Sequence, residues 1–488
     1  MIETLALGDL TVAVRAAGPA VPTAGGVLLP PGEVALLHPF GDALFYRHGW
    51  NSWSPSGWRR LFEKPLRIAG DPERLMTADD AANDVPHGHS GSAVGALQGP
   101  DGRVLLLGAL GLGTPRVGAD ASVLRGSVEE PDGQWFLAHG PEEDVFAAYA
   151  ELLAERLGRR IARAGAVWSS WYSYFEDVDE DLVARTVDDL AGYGFDVVQL
   201  DDGWERAVGD WTANARFPSG MAATADRIAA AGFRPGLWLA PLIASPHSAF
   251  ARDRPELLVQ DADGRPLVAG TNWGVGYHAL DTTRPEVLEH LGEVVRRAVD
   301  DGFTYVKLDF LYAGAVRGHR SRDLPREQVY REAVQHIRRV VGDEVYLLGC
   351  GVPMLPSAGV FDGVRVGPDT AALWENHATP DDPSESGTRN AVAASIARAW
   401  LRPLYELDPD AAYFRSRRSL LDEPQRRLGQ DLGSVLGFKQ TSDPIAWLDE
   451  GERARLDAWL RATERVERTG RWTWRIDGRE VDFGPAAR

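Results

Sequence analysis

Apolar runs in the second half of the chain share one layout, in which a strand-like segment ends at a carboxylate. In the clearest case, residues 305–310, Lys307 and Asp309 interrupt an otherwise apolar and aromatic run. Side chains two positions apart on a strand point to the same face, so these two are expected to lie side by side. A buried Lys–Asp pair is either a structural ion pair or part of a functional site, and the pattern leaves both open.

The same layout recurs four more times. The apolar runs 195–200, 361–366, 403–407 and 433–440 lead to these acidic residues: Asp201 and Asp202, Asp369, Asp408 and Asp410, and Asp443. Segments with helical periodicity separate most of the runs, which is typical of a parallel α/β fold. Eight strands are predicted, at 167–174, 195–200, 234–240, 303–310, 344–348, 364–367, 403–407 and 433–440. We therefore predict a (β/α)8 TIM barrel whose carboxylates meet at the C-terminal ends of the strands.

The first part of the chain has a different pattern. Short alternating runs separated by Gly, Pro and Asp-Gly turns predict an N-terminal β-sandwich over residues 1–140. An amphipathic helix with acidic residues in its first turn follows, and residues 141–165 are predicted to connect two domains. The catalytic barrel is assigned to 166–470, and 471–488 to a short C-terminal tail.

Composition narrows the class of partner. The chain of 488 residues has a formal net charge of −19, which argues against a nucleic-acid or anionic-membrane surface and is compatible with a neutral small-molecule substrate. Its single cysteine, Cys350, excludes an intramolecular disulfide. With no signal-peptide pattern and no apolar run of membrane-spanning length, a cytoplasmic location is predicted. The sequence leaves open whether the protein forms a homo-oligomer.

Carboxylates converging on a tryptophan-rich pocket favour glycoside hydrolysis, for which two carboxyl groups suffice. The competing interpretation is a metal enzyme, because Asp201 and Asp202 would suit Mg²⁺ or Ca²⁺. His87 and His89 have ligand-like spacing, but no third ligand is evident beside them. We expect no metal and no cofactor.

Seven motifs add a family resemblance. They are 168–172 (WSSWY), 199–205 (QLDDGWE), 235–241 (PGLWLAP), 307–310 (KLDF), 348–351 (LGCG), 365–370 (RVGPDT) and 407–410 (LDPD). In this order they resemble the melibiase-type α-galactosidases of glycoside hydrolase family 36. Two features depart from that family: Ser169 replaces a common Cys, and the usual C-terminal antiparallel β domain is shortened to about twenty residues.

The resemblance implies a role for several residues. Asp309 would be the nucleophile and Asp369 the acid/base, while Lys307 would keep Asp309 ionised. Asp201 and Asp202 would accept the sugar O4 and O6 hydroxyls, although Asp201 could instead cap the next helix.

The pocket walls are assigned in the same way. Cys350 and Arg365 would face the sugar 2-position, Arg365 in preference to pairing with Asp369. The predicted stacking walls, each with a core-aromatic alternative, are Trp168, Trp204, Trp238 and Trp273. Asp408 and Asp410 are interpreted as structural.

Three functional hypotheses remain. The first is a retaining α-galactosidase acting on melibiose- and raffinose-type sugars. The second is an α-N-acetylgalactosaminidase or a raffinose-type transglycosylase on the same fold. The third is a catalytically silent sugar-binding protein, against which the intact Lys307, Asp309 and Asp369 argue.

Overall fold

The computed structural model describes residues 1–68, 76–80 and 88–487. His87 lies outside these residues, whereas His89 is buried and its Nε2 is 3.2 Å from the carbonyl oxygen of Leu61. None of the helices in these three ranges is long and apolar enough to cross a membrane.

Thirteen strands in the described part of residues 1–140 form two antiparallel sheets. They are β1 (Ile2–Leu7), β2 (Leu10–Arg15), β3 (Val21–Thr23), β4 (Gly26–Leu29), β5 (Val34–Leu37), β6 (Leu44–Arg47), β7 (Gly57–Arg60), β8 (His89–Ser92), β9 (Val94–Gln98), β10 (Val104–Ala109), β11 (Arg116–Ala119), β12 (Val123–Ser127) and β13 (Trp135–Gly140). One sheet has the order β1-β2-β5-β12-β11-β8, and the other β3-β4-β13-β10-β9-β6-β7. The predicted β-sandwich is confirmed.

Strand β10 explains how the sandwich joins the rest of the molecule. All six of its residues are buried. Leu105 and Leu107 belong to the core between the two sheets, while Val104 and Leu106 belong to the large core that continues into the barrel. On that second face lies helix α1 (Glu142–Leu157), whose Tyr149 hydroxyl donates to the carbonyl oxygen of Ala109 over 2.7 Å.

Eight parallel strands form the barrel. They are β14 (Ala166–Ser169), β15 (Val197–Leu200), β16 (Arg234–Leu239), β20 (Tyr305–Leu308), β21 (Tyr346–Gly349), β22 (Gly363–Arg365), β23 (Glu406–Asp408) and β24 (Lys439–Thr441). They pair in chain order, and β24 returns to pair with β14, which leaves only the β23–β24 junction without ladder bonds. Side chains such as Val167, Val197 and Tyr305 fill the interior. The predicted TIM barrel is confirmed.

The helices after the strands are α2 (Trp171–Tyr174), α3 (Glu180–Leu190), α4 (Gly220–Ala230), α5 (Ala249–Asp253), α6 (Pro285–Asp300), α7 (Arg326–Val341), α8 (Thr388–Ala397), α9 (Glu423–Leu436) and α10 (Glu450–Arg461). Local signals set their ends: Asp422 and Gln425 form a capping box at the start of α9. Gly437, with φ 80°, ends α9.

Two predicted strands extended into a neighbouring helix. The prediction of a strand over 433–440 was wrong at its start, because α9 continues to Leu436 and β24 begins only at Lys439. The first predicted strand, 167–174, ends at Ser169 in the structure, and α2 follows it. In both places apolar residues of a helix adjoin a buried strand, so hydrophobicity alone did not mark the boundary.

Two small antiparallel sheets complete the fold. Strands β17 (Ile243–Ala244), β18 (Val268–Asn272) and β19 (Val275–Ala279) lie between β16 and α6, and their β18–β19 turn carries Trp273. At the C-terminus, β25 (Val466–Arg468), β26 (Thr473–Ile476) and β27 (Arg479–Asp482) form a sheet, followed by a short helix, α11 (Gly484–Ala487). The predicted boundary between barrel and tail at 470/471 falls inside that sheet.

Candidate active site

Asp309 follows β20 immediately and lies at the C-terminal mouth of the barrel. The indole Nε1 of Trp238 donates to its Oδ2 over 3.1 Å, and the backbone N–H of Phe310 donates to Oδ1 over 2.7 Å. Lys307 Nζ is 3.9 Å from Oδ2. Two donors and a nearby cation stabilise the negative charge of this carboxylate.

Lys307 is engaged more closely with another carboxylate. Its Nζ donates to Asp201 Oδ2 over 2.9 Å, and both side chains are buried. The Gln199 amide donates to the same oxygen. Asp201, Asp309 and the ammonium group between them therefore form one cluster, and burial, which would lower the pKa of Lys307, is outweighed by the two carboxylates, which raise it.

Asp369 lies four residues beyond the end of β22, at the same mouth. Burial, the carboxylate of Asp410 and the charge of Asp309 raise its pKa to about 6, while Arg365 and Lys307 act in the opposite direction. Its side chain is still 36% exposed to solvent. A carboxyl group that stays partly protonated near neutral pH and remains accessible is suited to proton donation.

Arg365 does not have the free guanidinium that the sequence predicted. Its Nε is 2.9 Å from Asp408 Oδ2, its Nη2 is 2.9 Å from Asp410 Oδ1, and its Nη1 donates to Asp369 Oδ1 over 3.3 Å. The expectation that Arg365 would not pair with Asp369 was wrong. An arginine that is 1% exposed requires carboxylate partners, and Asp408 and Asp410 supply them.

Asp202 faces the β18–β19 turn across the mouth. Trp273 Nε1 donates to Asp202 Oδ2 over 2.8 Å. Asp202 is buried, and burial followed by the charge of Glu205 raises its pKa. The bond places the indole of Trp273 beside a carboxyl group that was predicted to bind the sugar.

Two of the four predicted stacking tryptophans lie at the site and two lie behind it. Trp238 and Trp273 contact Asp309 and Asp202 as described. Trp168 follows the inward-facing Val167, so it points outward, where it packs near Tyr174.

Trp204 also lies away from the pocket. The turn at Gly203, with φ 110°, directs Trp204 into the core beside Trp211, and its Nε1 donates to the carbonyl oxygen of Trp238 over 3.0 Å. For Trp168 and Trp204 the core-aromatic interpretation therefore replaces the stacking role. Cys350 is buried among Asp309, Arg365 and Lys307, and burial raises the pKa of its thiol well above the usual value.

The sandwich contributes a loop to the barrel mouth. Residues 49–54, between β6 and β7, are fixed by the fully buried Arg398, whose Nη2 donates to the carbonyl oxygens of Asn51 and Ser54 over 2.7 and 2.8 Å. This loop places Trp53 5.8 Å from the ring of Phe310, which directly follows Asp309. Sequence reasoning did not place Trp53 at the site. The available signal was the run of residues 49–53 (GWNSW), which is unusually polar and Gly-rich around its tryptophans.

In the described parts of the chain, no three His, Cys, Asp or Glu side chains are grouped so that they could hold a metal ion. The Asp201–Asp202 pair instead contacts Lys307 on one side and Trp273 on the other.

Comparisons with known proteins agree with this geometry. The family profile described as melibiase matches residues 145–340. TtGalA, an α-galactosidase from Thermus thermophilus solved with p-nitrophenyl α-D-galactopyranoside, is 44% identical, covers 100% of both chains and superposes with a TM-score of 0.94. The chain belongs to the melibiase family of α-galactosidases, glycoside hydrolase family 36.

More distant family members match only in part. The α-galactosidase AgaA from Geobacillus stearothermophilus is 30% identical over 33% of this chain. A blood-group A α-D-galactosamine galactosaminidase from Flavonifractor plautii is 31% identical over 38% of it. The matched region spans 23% and 19% of the length of these two relatives.

Proposed function

We propose that the protein hydrolyses terminal α-D-galactosides with retention of anomeric configuration. The observation that carries this proposal is the contrast between two carboxyl groups at one barrel mouth. Asp309 receives two hydrogen bonds and has a cation nearby, whereas the pKa of Asp369 is raised to about 6. Environments that separate two carboxyl groups in this way assign one as nucleophile and the other as acid.

The bonds formed and broken in the two steps of the reaction can be assigned to named groups. An Asp309 oxygen bonds to the anomeric carbon as the glycosidic C–O bond breaks, and the leaving oxygen takes the proton of Asp369. In the second step Asp369 accepts a proton from water, the water oxygen bonds to the anomeric carbon, and the bond to Asp309 breaks with its electron pair returning to the carboxylate. Trp238, by donating to Asp309 Oδ2, orients the nucleophile.

Galactose would be recognised by the polar wall opposite. Lys307, Asp201 and Asp202 present charged groups at the mouth, and Trp273 places an aromatic ring beside them. A site built to hydrogen-bond a hydroxyl strongly disfavours a sugar that lacks it. TtGalA has also been solved with stachyose, which supports an α-galactosyl oligosaccharide as the substrate of this chain.

The test is hydrolysis of p-nitrophenyl α-D-galactoside compared with its 2-acetamido analogue, with NMR detection of the anomer released first. Release of α-galactose supports the proposal, and the β-anomer appearing first contradicts retention. Preference for the acetamido sugar would favour the galactosaminidase alternative. Oligosaccharide synthesis with a sugar acceptor would favour transglycosylation, and no turnover would favour a silent binding protein.

Activity is expected to persist in EDTA, because the two-carboxyl reaction needs no metal. Loss of activity on chelation, restored by one divalent ion, would revive the metal interpretation of Asp201 and Asp202. The cytoplasmic location and a homo-oligomeric state also remain predictions, which cell fractionation and sedimentation would test. The single cysteine of the sequence excludes an intramolecular disulfide, so the sequence makes no case for secretion.

A further inference from the structure

One carboxyl oxygen of the proposed sugar-binding wall lacks a conventional donor. Asp202 Oδ2 accepts the indole N–H of Trp273, but Asp202 Oδ1 is buried and receives no hydrogen bond from any N–H or hydroxyl group of the described residues. A buried carboxylate oxygen without a donor destabilises the folded state. A neighbouring carboxyl group that shares a proton with Asp202 would supply a further donor.

The neighbouring carboxyl group is that of Glu205. The turn at Gly203 brings it back, and the Gly203 N–H donates to Glu205 Oε2 over 3.3 Å. Its backbone is held by a β-bridge to Ala213 and by the Asn214 amide, which donates to the Glu205 carbonyl oxygen over 3.3 Å. Glu205 raises the pKa of Asp202 through its charge and through a hydrogen bond between the two carboxyl groups.

Two carboxyl groups in such contact cannot both be ionised without strong repulsion, whereas one proton between them makes a short, charge-assisted hydrogen bond. The proton also supplies a second donor to a carboxyl group whose side chain otherwise accepts, among the described residues, only the Trp273 N–H. We propose that Glu205 is a positioning residue that shares one proton with Asp202 and so fixes the carboxyl group that orients Trp273 at the sugar site. The role in sugar binding rests on the proposed function.

The surroundings favour retention of this proton. Burial is the first cause that raises the pKa of both carboxyl groups, with the charge of Glu205 next for Asp202. The other charged groups facing the pair are Asp201 and Glu176, which repel it, Lys307, which is bonded to Asp201, and Arg216, which donates to the Gly203 carbonyl oxygen. No Lys or Arg of the described residues forms an ion pair with either carboxyl group.

The consequence is a pH dependence of sugar binding that does not arise from the catalytic acid. At neutral pH the pair carries one proton and one negative charge. As the pH rises and the proton leaves, the two carboxylates repel, Asp202 turns, and Trp273 loses its fixed partner. Sugar affinity falls while the catalytic carboxyl groups are untouched, so the effect appears in Kd and KM before kcat.

The first experiment measures D-galactose binding by calorimetry between about pH 6 and about pH 9, in EDTA. The wild-type Kd is expected to rise about ten-fold across the alkaline part of this range. Glu205→Gln keeps a donor for Asp202 that does not titrate, so its Kd should stay nearly constant with pH. Glu176→Gln removes one exposed charge that repels the pair, so the rise in Kd should keep its size and move to slightly lower pH. A wild-type Kd that does not change with pH, or a Glu205→Gln slope equal to that of the wild type, would overturn the proposal.

The second experiment needs no sugar. The infrared spectrum is recorded at about pH 8, where the carboxyl group of Asp369, with its pKa of about 6, is ionised and contributes no C=O band. A C=O band of a protonated carboxyl group is expected in the wild type. Its loss in both Glu205→Gln and Asp202→Asn would assign it to the shared proton. Absence of this band, or its loss when a divalent cation is added, would contradict the proposal that Glu205 and Asp202 share a proton. Failure to hydrolyse α-galactosides with the band present would overturn only the proposed function.

Discussion

Arg365 and Asp410 form an ion pair with almost no exposure to solvent, in which Nη2 is 2.9 Å from Oδ1. The other Asp410 oxygen accepts the backbone N–H of Thr370 over 2.8 Å, next to Asp369 in the chain. Asp410 thus has two effects on Asp369. Its negative charge raises the pKa of Asp369 directly, and by pairing with Arg365 it offsets part of the guanidinium charge that lowers that pKa.

Asp410→Asn should therefore lower the pKa of Asp369. The acid form of Asp369 is lost as pH rises through its pKa, so the alkaline limb of kcat/KM is expected near pH 6 in the wild type. The variant should shift this limb to lower pH by about one unit. Asp431→Asn, which removes a carboxylate paired with Arg479 far along the chain, serves as control. An alkaline limb that does not move would show that Asp410 does not tune the acid.

Trp53 provides a test of the sandwich loop at the barrel mouth. Its ring packs 5.8 Å from Phe310 and 5.9 Å from Tyr312, and it is only partly buried. Trp53→Ala is expected to raise KM for stachyose about five-fold, since an aromatic contact contributes about 1 kcal/mol. The change for p-nitrophenyl galactoside should be smaller, because its aglycone reaches less far. Trp168→Phe alters a tryptophan behind the barrel wall and should leave the ratio of the two KM values unchanged.

The barrel, the order of its strands and the carboxylates at the strand ends could be predicted from the sequence. Strand periodicity and the residue types at strand ends are properties of short, continuous segments. Lys307 and Asp309, two apart on one strand, could be placed on one face without further information. What could not be predicted depends on contacts between distant segments. Asp408 and Asp410 are recognised as partners of Arg365 only when β22 and β23 are adjacent, and Trp53 reaches the site through a loop of another domain. Trp168 was misassigned although alternation with Val167 could have placed it outward.

Glu327 tests the junction between the two domains. It is buried on α7, its Oε1 accepts the Trp50 indole N–H over 3.0 Å, and burial raises its pKa to about 7. A raised pKa means that the folded state binds more protons than the unfolded state between about pH 4.5 and about pH 7, so stability falls as pH rises through this window. The full effect corresponds to about 3 kcal/mol.

Glu327→Gln keeps an acceptor for Trp50 and removes this titration. Its melting temperature should match the wild type near pH 4.5 and exceed it by several degrees near pH 8. Glu332→Gln, half-exposed on the same helix, should show no such pH-dependent gain. An equal difference between Glu327→Gln and wild type at both pH values would contradict an ionisable interdomain contact.

Alanine substitutions of Asp309 and Asp369 should affect the reaction in different ways. Asp309→Ala removes the group that bonds to the anomeric carbon, so turnover of every substrate should fall by several orders of magnitude, and azide or formate should restore part of the rate. Asp369→Ala removes proton donation. It should slow stachyose far more than p-nitrophenyl galactoside, because an activated phenol leaves without a proton, and the ratio of the two rates should change by about 10²-fold or more.

Leaving-group dependence distinguishes these roles from misfolding, which would slow both substrates equally. Trp238→Phe offers a matched control, because it removes the donor to Asp309 Oδ2 while leaving both carboxyl groups in place. It should reduce kcat for both substrates by a similar factor, about ten-fold for one lost charge-assisted hydrogen bond, without changing their ratio. Asp369→Ala slowing both substrates to the same extent, or azide rescuing it with inverted product, would reassign the two carboxyl groups.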